Sequence, residues 1–211
     1  TGLYISGGKD YTIVGNNFTS SGFSTGEPAV WLNSIVKGTL NGGISMSANT
    51  FGGTSANVAF RADDMNGFTI GDNNTYNISF EDGTSGLTEV STAANSNEFV
   101  VNLNQVTNVS INSVDFSRSG GTQLGGGVKI NNGNGNKTFS ITNCNFGNRR
   151  SGLNVTGGVD YTITGNSFLG TGFGNAEPAL YLNGILAGSL TGGISMSTNT
   201  FGGTNANTAV R

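Results

Sequence analysis

The segment Asp160-Tyr161-Thr162-Ile163-Thr164-Gly165-Asn166-Ser167-Phe168 restates Asp10-Tyr11-Thr12-Ile13-Val14-Gly15-Asn16-Asn17-Phe18 at a distance of 150 residues. The restatement runs far beyond these nine positions. Thr1 to Arg61 aligns on Ser151 to Arg211 without a gap, with roughly 37 of the 61 pairs identical. Most of the others are mild exchanges such as Ile5/Val155, Trp31/Tyr181 and Val36/Leu186. A chain that repeats its side chains in order meets the same packing problem twice, so its fold has to be periodic. Residues 1–150 are therefore read as one unit and 151–211 as the start of the next, within one continuous architecture and as a window on a longer tandem array.

A shorter repeat lies inside the long one. Each copy ends in an aromatic, at Phe18, Phe51, Tyr76, Phe116, Phe146, Phe168 and Phe201. Five residues before the aromatic stand Ile13, Met46, Ile111, Ile141, Ile163 and Met196, and seven before it Tyr11, Ile44, Val109, Phe139, Tyr161 and Ile194. Small hydroxyl residues sit between them: Thr12, Ser45, Ser110, Ser140, Thr162 and Ser195. This is strand alternation, with one face turned in and one out. The third copy, Phe68-Thr69-Ile70-Gly71-Asp72-Asn73-Asn74-Thr75-Tyr76, is displaced by one residue and is read as containing a bulge.

Two residues before each aromatic the series is Asn16, Asn49, Asn74, Val114, Cys144, Asn166 and Asn199. Val and Cys in an Asn column imply that the column points inward, where an amide has to find partners. The expected structure is an asparagine ladder of Asn16, Asn49, Asn74, Asn166 and Asn199. A second strand precedes each motif, as in Leu3-Tyr4-Ile5, Val30-Trp31-Leu32, Val58-Ala59-Phe60, Val101-Asn102-Leu103, Val128-Lys129-Ile130, Leu153-Asn154-Val155 and Leu180-Tyr181-Leu182. Short strands with no helical stretch between them exclude βαβ crossovers.

These turns and columns resemble the right-handed parallel β-helix superfamily, the pectate-lyase-like fold, across all seven coils. The resemblance implies an all-β solenoid. Its long, near-identical tandem units resemble the repeat regions of giant secreted bacterial surface proteins, including adhesins. Parallel stacking would give a rise of about 4.8 Å per coil and about 24 Å per 150-residue unit.

Composition narrows the function. With 36 glycines, 2 prolines and only 10% charged residues, the chain suits a turn-rich solenoid whose stability comes from stacking many thin coils. Twelve acidic residues against nine basic ones give no electrostatic footprint for nucleic acid. No apolar run reaches the roughly 18–20 residues that span a bilayer. The lone Cys144 cannot form an internal disulfide, and its column makes it a packing residue. The Asn, Ser, Thr and Gly bias, together with the resemblance, points outside the cell.

Pectate-lyase-like folds often carry polysaccharide lyases or glycosidases. Glycosidases hold two carboxyl groups about 5–10 Å apart, and Asp63, Asp64, Asp72 and Glu81 are the only plausible cluster here. Asp63 and Asp64 are adjacent and would face opposite sides of a strand, and the chain contains no histidine. The acids and basic residue of the calcium-dependent lyases find no match either, so no catalytic, cofactor-binding or metal residue is assigned. The acidic stretch Asn77 to Glu98 leaves room for structural calcium, although simple solvation is the commoner fate of such acids. The expectation is a non-catalytic repeat of an extracellular bacterial filament or adhesin stalk, with neighbouring repeats as partners. The alternative is carbohydrate binding or processing, with surface glycans stacking on Tyr4, Trp31 and Tyr181. A weaker alternative is an ice-binding face made by the hydroxyl rows, which Ile70 and Asp72 would interrupt.

Overall fold

The computed structural model describes residues 1–8, 11–24, 26–33, 43–52, 58–63, 77–80, 98–104, 109–118, 122–133, 139–186, 188, 190, 193–203 and 206–211. Among these, the regular elements are all β. Chain order deals the main strands alternately into two sheets. The first holds β1 (Leu3–Ser6), β3 (Val30–Asn33), β5 (Phe60–Asp63), β7 (Phe99–Asn104), β9 (Gly126–Gly133), β11 (Ser151–Gly157) and β14 (Leu180–Asn183), each bonded to the next. The second holds β2 (Tyr11–Val14), β4 (Gly43–Ser47), β6 (Asn77–Phe80), β8 (Val109–Asn112), β10 (Phe139–Thr142), β12 (Tyr161–Thr164) and β15 (Ile194–Ser197) in the same manner. A short third pair joins β13 (Ser167–Leu169) to β16 (Thr200–Gly202). Every named strand pair is parallel.

Register turns the sequence columns into stacked side chains. Leu3, Val30, Phe60, Val101, Val128, Leu153 and Leu180 are in line across the first sheet. In the second, Ile111, Ile141, Ile163 and Met196 are in line. The turn aromatics form a further stack, with ring centroids 5.3 Å apart for Phe18/Phe51 and Phe116/Phe146, 5.0 Å for Phe146/Phe168 and 4.9 Å for Phe168/Phe201. Phe139 and Tyr161 stack at 4.4 Å. Small residues face the aromatic stack: a methyl group on Gly152 would stand 2.7 Å from both Phe168 and the Ala179 carbonyl oxygen.

Two expectations about the third repeat are corrected. Its strand in the second sheet is not Phe68-Thr69-Ile70 but Asn77–Phe80, with Ile78 opposite Ile44 and Val109. Both stretches place an apolar residue next to a hydroxyl residue, and only pairing with β4 and β8 separates them. The bulge read at Ile70, the ladder residue Asn74 and the aromatic Tyr76 lie outside the described residues. Ser79 now stands between Ser45 and Ser110, so Thr12, Ser45, Ser79, Ser110, Ser140, Thr162 and Ser195 form an uninterrupted register column. In the first sheet the strand is Phe60–Asp63 and not Val58-Ala59-Phe60. That shift of two residues preserves which face points inward and brings Arg61 opposite Trp31.

After β2, β4, β8, β10, β12 and β15 the next residue turns the chain in the left-handed region: Gly15 (φ 68°), Ala48 (51°), Ser113 (56°), Asn143 (55°), Gly165 (71°) and Thr198 (53°). Glycine adopts this conformation freely, and a β-branched residue is the least suited to it. Thr198→Gly is expected to stabilise the chain by about 0.5–1 kcal/mol, the left-handed penalty exceeding glycine's extra unfolded entropy. The reciprocal Gly165→Thr is expected to destabilise it, since its Cβ would meet Asn143 Oδ1 at 2.5 Å. Urea midpoints of the two variants check both signs.

The duplication supplies an internal control on burial. Met46 is 0% exposed and its counterpart Met196, on the edge strand β15, is 40% exposed. Leu32 and Phe51 are buried, while Leu182 and Phe201 at the same edge are only partly so. At the opposite edge Leu3, Ile5 and Tyr11 are partly buried, while Leu153, Val155 and Tyr161 are each 0% exposed. Identical or near-identical residues are covered wherever a strand lies on both sides.

Candidate functional site

The asparagines that follow β4, β12 and β15 bond in one pattern. Asn49 Nδ2 donates to the Ile13 carbonyl at 2.7 Å, and Asn49 Oδ1 accepts from the backbone N–H and side-chain amide of Asn16 at 3.0 and 3.2 Å. Asn199 repeats this on Ile163 and Asn166, at 2.7, 3.0 and 3.0 Å. Asn166 in turn donates to Ile141 at 2.9 Å and accepts from the Cys144 N–H at 2.9 Å. Each amide thus satisfies a carbonyl and an N–H at the turn of the preceding repeat, groups that strand pairing leaves over. Asn49 and Asn166 are buried, Asn199 is half-buried and Asn16 is exposed.

Cys144 occupies the same column and keeps half of the pattern. Its thiol lies 3.7 Å from the Ile111 carbonyl oxygen and 3.3 Å from that of Thr142. Burial pushes the thiol pKa up to about 11, against the lowering effect of backbone hydrogen bonds from the Val114, Thr142 and Ser113 region. A thiol whose folded pKa is raised holds its proton longer when folded, so its contribution to stability is complete below about pH 9 and is lost as pH rises toward 11. The expected result is negligible maleimide labelling of Cys144 in the folded chain at pH 8 and full labelling in urea.

On the outer face of the first sheet, Tyr4, Trp31, Arg61, Asn102, Lys129, Asn154 and Tyr181 are in line. Tyr4 and Trp31 are neighbours, with ring centroids 4.9 Å apart at 54°. Tyr181 is in the same column but five strands from Trp31, so the three aromatics do not meet at one place. Arg61 lies over the Trp31 indole at 4.7 Å, and Arg211 lies over Tyr181 at 5.8 Å. The aromatic–arginine pair therefore recurs with the long repeat.

Asp63 braces the first of these pairs. Its Oδ2 accepts from Trp31 Nε1 and Arg61 Nε, both at 2.6 Å, and its Oδ1 accepts from Asn104 Nδ2 at 2.6 Å. Among the residues weighed for acid–base chemistry, Asp63 is thus engaged in positioning an indole and a guanidinium. Asp64, Asp72 and Glu81 lie outside the described residues, as does most of the acidic Asn77 to Glu98 stretch. Compared with family models, curated proteins and solved structures, the chain matches none. The site is accordingly read from its own geometry. No group of three metal-binding side chains converges among the described residues, and they contain no helix long and apolar enough to cross a membrane.

Arg61 and Asn104 escaped the sequence reading. Arg61 had left a signal, because it recurs as Arg211 in a copy where many surface residues differ. Asp63→Ala is expected to release the indole: the emission of Trp31, the single tryptophan, shifts to longer wavelength, and stability falls by about 1–2 kcal/mol as charge-assisted hydrogen bonds are lost. An unchanged spectrum would show that Asp63 does not hold Trp31.

Proposed function

We propose that the chain is a right-handed parallel β-helix and that its function is structural, as a non-catalytic repeat of a long extracellular bacterial surface filament or adhesin stalk. Strands dealt alternately into parallel sheets support the solenoid, and the general right-handedness of crossovers between parallel strands supports its hand. The observation that carries the function is the unbroken parallel pairing of seven strands in each sheet, which runs through both copies of the long repeat without a cap between them. Met46, on a strand paired on both sides, is fully buried, so the strands of successive repeats cover one another's core. Each unit then shields the open edge of its neighbour, an edge that would otherwise invite uncontrolled pairing. The extracellular setting rests on the resemblance and on the Asn-, Ser-, Thr- and Gly-rich composition.

Small-angle scattering and electron microscopy of chains carrying one, two and three further 150-residue units test this reading. A rod whose length grows by about 24 Å per unit, five strand spacings, is the expected result. A compact particle of constant aspect ratio would overturn it. A second reading, carbohydrate binding, is favoured by one observation: Asp63 fixes Trp31 beside a Tyr4 that is 53% exposed. Retention of the chain on a glycan array, lost in Trp31→Ala, would support that reading.

A further inference from the structure

Among the described residues, Arg118 Nε and Nη1 are the buried side-chain polar atoms without a hydrogen-bond partner. A guanidinium does not give up its proton in proteins, so Arg118 cannot escape the cost of burial by becoming neutral. A buried charge that nothing offsets is expensive. The ion pairs among the described residues, Arg61–Asp63 and Arg150–Glu177, do not include Arg118.

The backbone of Arg118 is held while its charge is unmet. Its N–H donates to the Gly147 carbonyl at 2.9 Å, and its carbonyl accepts from Asn148 Nδ2 at 3.3 Å, so the next repeat grips this turn through both groups. A second positive charge rests on the same turn. Arg149 is 0% exposed and donates from Nε to the Phe116 carbonyl at 2.6 Å and from Nη2 to the Ser117 carbonyl at 3.3 Å. The carboxylate that precedes Arg118 in the chain, Asp115, is exposed and accepts from the Ser117 N–H at 3.0 Å through Oδ1. Arg118 as a whole is half-buried, so it lies at the rim of the coil and not in its interior as Arg149 does.

We infer that Arg118 anchors an oxyanion site at this turn, taking a small tetrahedral anion of the phosphate or sulfate kind from solution, with Arg149 adding its field from beneath. A tetrahedral oxyanion offers several acceptor oxygens to the planar fork of N–H donors, which chloride does not. Because Nε and Nη1 are shut from solvent, the guanidinium meets the anion by turning toward the rim. The charge left unmet in the buried arrangement is what makes that turn favourable. One copy of the chain suffices for the site, whichever assembly it belongs to.

The test titrates inorganic phosphate into the 211-residue chain at constant ionic strength made up with chloride, reading the melting temperature and the NMR signals of the arginine Nε–H groups. The expected result is a saturable rise of about 3 °C at about ten times the dissociation constant, together with a saturable shift of the Arg118 Nε–H signal. Arg118→Gln removes the charge and should abolish the rise, while its melting temperature in chloride should be no lower than the parent's, since the charge it loses has no partner. Arg118→Lys keeps the charge without the fork and should show a weaker rise. Equal rises in the parent and in Arg118→Gln would be the general stabilisation that phosphate gives folded proteins, and would overturn the site. A parent that does not respond, or one that responds with the Arg118 signal unmoved, would overturn it as well.

Discussion

Replacing Phe168 with alanine should destabilise the chain by about 4 kcal/mol, the cost of a large cavity in a core that cannot collapse. Phe168 is 0% exposed and lies between Phe146 and Phe201, at 5.0 and 4.9 Å. In a structure whose repeats touch only their neighbours, the cavity weakens two interfaces at once. Phe18→Ala is the matched control. Its ring stacks on Phe51 alone among the described residues and is 8% exposed, so about half that loss is expected. Urea denaturation of the two variants measures the difference, and equal losses would refute the claim that position in the stack, and not residue type, sets the cost.

Asn166→Ala should come next, at about 3 kcal/mol. The substitution removes the partners of the Cys144 N–H and the Ile141 carbonyl, both at a buried turn, and each buried group left unsatisfied costs about 1–3 kcal/mol. Asn16→Ala, at the equivalent position in the first copy, should cost less than 1 kcal/mol, because Asn16 is exposed and water can replace it. Asn166→Asp isolates the donor: the oxygen acceptor is kept and Nδ2 is lost. It should be as harmful as alanine, since a carboxylate then faces the Ile141 carbonyl.

Much of this could be read along the chain. Alternation at Tyr161-Thr162-Ile163-Thr164 told which side chains turn inward, because the period of a strand is a local property. The spacing from that strand to Phe168 located the aromatic stack, and Val and Cys in the column of Asn16 and Asn166 marked that column as interior. The third repeat did not yield to the same reasoning. Ile70 and Ile78 both sit beside hydroxyl residues, and the choice fell to Ile78 through its pairing with Ile44 and Val109, residues more than thirty positions away in either direction.

The periodic identity of the two copies alone determined that the fold is a repeated β arrangement with an aromatic and an asparagine column, since both follow from near-neighbour spacing. Only the tertiary structure decided what those columns and their surroundings do. Asp63 is one carboxylate among several in the sequence and becomes a brace for Trp31 and Arg61 because Asn104, 41 residues on, closes its other oxygen. Arg149 and Arg150 are adjacent in the sequence, yet one is 0% exposed, with Nε donating to the Phe116 carbonyl at 2.6 Å, and the other lies over the Phe173 ring. Burial and cross-strand partnership depend on which strands become neighbours, and that is decided by register across the sheets and not by any stretch of chain in isolation.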